Sequence, residues 1–236
     1  MDFASKWLKF WSKFGPGGAW KRVLGVGLKN TLIIALLGLV IGIVIGTLIA
    51  AVRVMPKYRK FPRVLDKICA VYVGFFRGTP IVAQLLIAYY ILCPLMGIDL
   101  GSLNTCILVF GLNSGAYVSE IMRGGILSVD AGQMEAGRAL GLSYWVTMLK
   151  IVIPQATKNI LPTLGNELIA LVKDTSVVSF VAAVDLYKTF NEIGTGSYEY
   201  MVPYLVMALM YIVIVAIISL GIKAMERRLR RSDKRN

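Results

Sequence analysis

The sequence predicts an all-α, polytopic membrane protein with about five transmembrane helices. More than half of the 236 residues are apolar (57%), and the mean hydropathy is strongly positive. Uncharged apolar runs long enough to cross a bilayer recur along the chain, more than a soluble domain of this size could bury. Lysine and arginine exceed acidic residues by 13, and they gather beside the apolar runs, in RVMPKYRKFPR (53–63) and RRLRRSDKRN (227–236), as in cytoplasmic loops. That placement argues against the nucleic-acid binding that so basic a chain would otherwise suggest.

The chain opens with a leader, residues 1–27, in which Phe3, Trp7, Phe10, Trp11 and Phe14 recur at three- and four-residue steps with lysines between them. The pattern predicts a helix lying in the membrane interface. The apolar run that begins near Leu28 is too long for the core of a cleavable signal peptide, so it is read as a true span from Leu32 to Val52. It carries Gly38, Gly42 and Gly46 at four-residue spacing, a face that another helix can approach closely. A basic connector follows, and then LDKICAVYVGFFRGTP (65–80), too charged for a span and expected along the inner membrane surface. Spans two (Thr79 to Ile98) and three (Gly101 to Ser119) are joined by a short loop free of lysine and arginine, which should face outward. The fourth run, Gln155 to Val184, is the least regular, with Pro154 and Pro162 and the charges of Lys158, Glu167, Lys173 and Asp174. The last span, Met201 to Ile222, begins at an aromatic belt of Tyr198, Tyr200 and Tyr204. The membrane domain is thus bounded at 28–225, with a basic tail at 226–236. Five spans with a basic tail place the C-terminus in the cytoplasm and the start of the chain outside, while the basic leader by itself favours the opposite side.

Between spans three and four lies a charged, glycine-punctuated loop, residues 128–154. Asp130 is placed to cap a helix beginning at Ala131, with Gln133 at the capping-box position and Val129 and Met134 at those of a hydrophobic staple. Gly141 offers a left-handed stop and Ser143 a cap for the next helix, so Ala131 to Leu140 is an isolated helix of about three turns. A pair between Glu135 and Arg138 would contribute only a few tenths of a kcal/mol. Such a helix is marginal alone, and must rest either on the bilayer or on a partner.

The stretch EAGRALGLSYWVTMLKIVIP (135–154) closely resembles the EAA loop of binding-protein-dependent ABC importer permeases. Glu135, Ala136, Gly141, Ile151 and Pro154 fall on that pattern, while Gly137 replaces its second alanine and Ile153 its leucine. FRGTPIVAQLL, NSGAYVSEIMRGGILSVDAGQMEAGRALGL and LVKDTSVVS extend the resemblance to the polar amino acid uptake branch over most of the chain. The resemblance implies a type I-like permease fold whose loop, through Glu135, Ala136, Gly137, Arg138, Gly141, Ile151 and Pro154, seats in a cytoplasmic ATPase. It also implies a second permease subunit, identical or similar, an extracellular solute-binding protein, a prokaryotic plasma (inner) membrane location, and ATP and magnesium on the ATPase rather than on this chain. In agreement, the chain contains no G-x-x-x-x-G-K-[ST] phosphate loop.

Charges inside spans are costly and mark pathways, so Lys173, Asp174, Thr175 and Ser176, between apolar halves of the fourth run, are the leading candidates for substrate contact, with Asn166 and Glu167 two turns earlier. The plainer alternative is that Lys173 and Asp174 neutralise each other at a packed break. Thr79 and Pro80 suit the start of span two, and with Arg77 they would leave N–H groups and a guanidinium for a carboxylate. Asp174 or Glu120 would then receive an ammonium group. Glu120 also stands three residues from Arg123 and reads equally as half of a local ion pair. Asn113 and Ser114 are expected to hydrogen-bond between helices.

The chain has no histidine, which removes histidine triads, zincin motifs and histidine proton relays. Cys69, Cys93 and Cys106 lack metal or redox spacing and read as apolar filler. No catalytic or metal site is expected, and the protein is read as a transport subunit rather than an enzyme. An ion-coupled secondary transporter or channel is the alternative, and a membrane scaffold a third class. The capped loop helix favours the importer over the carrier, and the intramembrane charges favour it over the scaffold.

Overall fold

A computed structural model of the chain describes residues 2–14, 18–56, 58 and 60–233, the last four as backbone only. The described residues contain helices and turns but no strand. In chain order the helices are α1 (Phe3–Ser12), α2 (Ala19–Val54), α3 (Lys60–Gly78), α4 (Ile81–Leu95) and α5 (Gly101–Leu127). They are followed by α6 (Ala131–Ala139), α7 (144–174), α8 (Leu186–Ser197) and α9 (Met201–Asp233). Among the described residues α2, α5 and most of α9 are long and apolar enough to cross a membrane, and α3 with α4 adds a fourth crossing if that bent pair is one span. Helix α7 has the length to cross but, with Pro162, Glu167 and Lys173, is too polar to pass by composition.

The centre of the bundle is the pair α2 and α5. In lipid no hydrophobic effect drives helices together, so close van der Waals packing must do it, and small residues permit it. Gly38, Gly42 and Gly46 lie against Phe110, Ser114 and Val118, and an added Cβ on Gly42 or Gly46 would come within 2.6 or 2.7 Å of the opposing side chain. Gly111 and Gly115 of α5 receive Ile41 and Ile45 in return. Each helix thus supplies both the flat sites and the knobs.

The bent pair α3–α4 departs from the reading of residues 65–80. Instead of lying along one surface, α3 starts beside the end of α2, where Arg53 stands 3.9 Å from Asp66, and climbs to the middle of α5. There the Tyr72 hydroxyl donates to Leu112 O at 2.5 Å, and the Asn113 amide donates to Phe76 O at 3.1 Å. Four of its five charges, Lys60, Arg63, Asp66 and Lys67, occupy its first half, and the second holds VYVGFF before Arg77 in the last turn, so the average over the segment hides an apolar stretch. At the top the chain turns 103° into α4. Pro80 disfavours helix at Thr79 and cannot donate a backbone hydrogen bond. The Thr79 hydroxyl donates back to Phe75 O at 2.8 Å, closing α3 rather than capping the next helix as its position suggested.

The fourth run differs as well. Helix α7 begins at Tyr144, eleven residues before the expected Gln155, and passes through a π turn at Met148–Val152 that accommodates Pro154. It ends at Asp174, where a 3-10 turn, Thr175–Val181, stops at Ala182 with φ of 59°. The KDTS stretch is therefore the end of a helix running into a tighter turn, not a break between two α-helical halves.

The leader closes the far end. Phe10 and Phe14 are buried with Val23, Leu186, Phe190, Val202 and Val206, while Phe3, Trp7, Leu8 and Trp11 stay exposed, so α1 packs one face on α8 and on the start of α9. Lys6 pairs with Glu199 (3.6 Å), Arg22 with Glu192 (2.6 Å), and Lys9 donates to Ser197 O (3.1 Å). The leader and the loop lie at opposite ends of α2. Leu186 N donates to Thr31 Oγ1 near its start, and the Tyr144 hydroxyl donates to Val54 O at its finish. No break falls between residues 27 and 28, because the first spanning helix runs from Ala19 through a π turn at Val23–Leu28.

Candidate functional site: a capped loop helix and a polar belt at mid-depth

The loop helix α6 is defined by its ends. The Asp130 carboxylate accepts from Gly132 N at 2.6 Å, and the Gln133 side chain, rather than closing a capping box, accepts from the Gln155 amide at 3.2 Å. At the other end Gly141 has φ of 80°. Its N–H bonds Arg138 O at 3.0 Å, and Leu142 N bonds Gly137 O at 3.1 Å, the paired bonds of a Schellman stop. The Ser143 hydroxyl then accepts from Val146 N at 3.3 Å and starts α7.

The loop is also held to the bundle. Gly137 is buried against Thr147, whose methyl would stand 2.5 Å from a Cβ there, so the alanine that the EAA pattern has at this position would require Thr147 to shift. The Asn159 amide donates to the Ser128 hydroxyl at 2.8 Å. Glu135, Ala136, Arg138 and Leu140 remain exposed on the outer face, Leu140 by 81%. Glu135 and Arg138 do not pair, since the Arg138 guanidinium donates to Leu142 O at 3.3 Å and so reinforces the stop. Ile151 is half-buried in the π turn, and Pro154 is exposed just beyond it.

Halfway along the bundle a belt of polar groups joins four helices, α3, α4, α5 and α7. The Gln84 amide donates to Phe76 O (3.0 Å), Thr79 O (3.1 Å) and Thr79 Oγ1 (2.9 Å), satisfying carbonyls that the end of α3 leaves unpaired. Asn113 donates to Gln84 Oε1 at 3.0 Å, and the Ser114 hydroxyl donates to Glu167 Oε1 at 3.0 Å. The adjacent pair Asn113 and Ser114 on α5 therefore bridges the α3–α4 turn on one side and the Glu167 carboxylate of α7 on the other, as interhelical bonding at these positions predicted.

The remaining candidates divide. Arg77 is exposed in the last turn of α3, its guanidinium 5.3 Å from the centre of the Tyr117 ring. Lys173, Asp174 and Asn166 are exposed, Asp174 about 10 Å along α7 from Glu167. Thr175 is fully buried and its hydroxyl donates to Val172 O at 2.8 Å; Ser176 is half-buried. Glu120 is held apart in an ion cluster at the loop-side end, bonded to Arg53 and, at 2.7 Å, to Arg123. The local-pair reading of Glu120 is the one the geometry supports. Gln84 and Tyr117 were missed by sequence reasoning. A lone amide inside the apolar run PIVAQLLIAYYIL was the available signal for Gln84.

The sequence profile of the binding-protein-dependent transport system inner membrane components matches residues 38–231. The arginine transport system permease protein ArtQ of Bacillus subtilis is 37% identical over 207 residues, covering 88% of this chain and 92% of that one. The glutamine transport system permease protein GlnP of Escherichia coli is 35% identical, covering 86% and 91%. Among solved structures, an amino acid ABC transporter crystallised with histidines superposes with a TM-score of 0.82 at 33% identity, over 97% of this chain and 99% of that one. The MetNI methionine ABC transporter, at 21% identity and a TM-score of 0.68, shares the fold. With the family profile spanning most of the chain and the permease fold matched end to end, the chain belongs to the binding-protein-dependent transport system inner membrane components, in the polar amino acid branch of the ABC importer permeases.

Proposed function

We propose that this chain forms the translocation pathway of an ATP-driven importer of polar amino acids and takes its mechanical input through α6. A cytoplasmic ATPase pair, which binds ATP and magnesium, seats the exposed face of α6. A second permease subunit completes the pathway, and an extracellular solute-binding protein delivers the cargo. The loop end of the bundle and the arginine-rich tail then lie in the cytoplasm, α7 is the remaining crossing, and the leader lies outside.

The observation that carries the reading is the construction of α6. A helix this short is marginal in isolation, yet both its ends are closed and it is tied to α7 through Gly137 against Thr147 and through Gln133 and Gln155. A push on Glu135 and Leu140 therefore moves the base of α7 as one body, and α7 carries Glu167 into the polar belt. An ion-driven carrier needs no such handle.

For the cargo, the amino acid names of the relatives agree with the chemistry along the path. Glu167 and Asp174 offer carboxylates to an ammonium group. Arg77 and the open first turn of α4 offer a guanidinium and backbone N–H groups to a carboxylate. The test is reconstitution of the chain with its ATPase and binding protein, followed by labelled amino acid uptake. Accumulation that requires ATP is expected. Accumulation driven by a proton or sodium gradient with no ATPase present would instead establish the secondary-carrier alternative.

A further inference from the structure

The loop-side ends of α2 and α5 and the first half of α7 enclose an apolar groove of about 530 Å3 that the coupling path does not use. One wall runs from Ile43 to Val54 and another from Ile153 to Leu164. Each wall is twelve residues long, eleven steps or about 16 Å at the helical rise, which matches the roughly 15 Å depth of one hydrocarbon leaflet. Three hydroxyls line it, those of Thr47, Tyr144 and Thr157, and of these that of Thr157 donates to Ile153 O at 2.8 Å and that of Tyr144 to Val54 O at 3.1 Å. The groove therefore offers almost no polar partner to water, and left empty its lining would forfeit dispersion contacts.

The mouth has a different chemistry. Tyr144 and the half-exposed Trp145 flank it, at the level where amphipathic rings meet headgroups. Lys150 is exposed on the π turn next to Leu149, which lines the groove. An apolar slot one leaflet deep, with an aromatic and basic rim, is the complement of a phospholipid with a negative headgroup.

We propose that this groove binds one acyl chain of an anionic phospholipid from the leaflet on the loop side, with its headgroup at Trp145 and Lys150. The chain fills the angle between α2, α5 and the base of α7, directly behind α6. Lipid composition would thereby set how stiffly α6 is joined to the bundle.

The purified transporter complex, placed in vesicles of phosphatidylcholine with a minor fraction of phosphatidylglycerol bearing a photoactivatable acyl chain, supplies the test. Adducts are expected to concentrate on residues 43–54 and 144–164. Ala51→Trp, which fills the groove from the α2 side, should lower that labelling about tenfold while leaving adducts on the exposed face of α9 at Leu209 and Ile212 unchanged. Lys150→Gln should remove the preference for phosphatidylglycerol over a phosphatidylcholine probe without abolishing labelling. Adducts spread evenly over all lipid-facing helices of the unsubstituted protein would reduce the groove to ordinary annular contact and overturn the proposal. So would a disulfide between two copies of Ala51→Cys, since it would assign this face to a second permease subunit. The labelling does not depend on transport, so its failure and a failure of the import reading are separate results.

Discussion

At the scale of single residues, the strongest constraints come from atoms that have no room or no substitute. Gly137 meets the methyl of Thr147, so Gly137→Val would force α6 off the base of α7, an overpacking cost of about 1–3 kcal/mol. ATP-driven uptake should fall while the chain still inserts, and pairing the change with Thr147→Ala should restore part of the activity; a Gly137→Val protein with normal uptake would mean that this contact transmits nothing. Glu167 is argued the same way. Its carboxylate is the acidic member of the mid-depth belt, accepting from the Ser114 hydroxyl, and losing a charged hydrogen-bonding group from such a site costs about 1.5–3 kcal/mol. Glu167→Ala should cut uptake about tenfold or more, measured with labelled substrate in vesicles where the ATPase still co-purifies. The sequence revealed Glu167, because a charge in a span is conspicuous, and it revealed both caps of α6, because capping is a local code. It offered Arg123 as a partner for Glu120 but did not reveal Arg53, which lies on another helix and is brought to Glu120 only in the folded bundle.

At the scale of elements, the pairing of α2 with α5 was legible on one side only. The four-residue spacing of Gly38, Gly42 and Gly46 announces a close-approach face but not its partner; Gly111 and Gly115 stand at the same four-residue step, but a single pair of small residues does not say which helix it receives. Gly42→Ile places a branched side chain where Ser114 Oγ already stands 2.6 Å from the Cβ position. The helices must then separate, with an expected loss of about 1–3 kcal/mol and a lower Tm in detergent, whereas the same substitution at Gly74, which has open space around it, should leave the Tm nearly unchanged. The second crossing was misread for a related reason. A window averaged over residues 65–80 mixes the charged foot of α3 with its apolar top, and the polar turn at Thr79 then looks like a membrane boundary although it sits beside Asn113, near the middle of α5. Polar groups at mid-depth and polar groups at a surface look alike in one dimension. They are told apart by the partners that satisfy them.

At the scale of the whole molecule, the open question in the sequence was the side on which the leader lies, because its lysines obey the positive-inside rule and the five-span count denies it. In the bundle two of those lysines and Arg22 have partners. Lys6 and Lys9 reach Glu199 and Ser197 O, and Arg22 reaches Glu192, all at the end of α2 remote from α6. With α2, the α3–α4 pair and α5 each crossing between them, the leader and α6 are expected to be labelled from opposite sides of the membrane. With Cys69 and Cys93 replaced by serine and the fully buried Cys106 left in place, Ser12→Cys should react with an impermeant maleimide added to intact cells. Leu140→Cys, 81% exposed at the tip of the loop, should react only after the membrane is opened. Labelling of both from the same side would require an even number of crossings between them, and α2, the α3–α4 pair and α5 could not then each pass through the bilayer. It would also leave α6 facing away from any ATPase in the cytoplasm, or place the leader beside one.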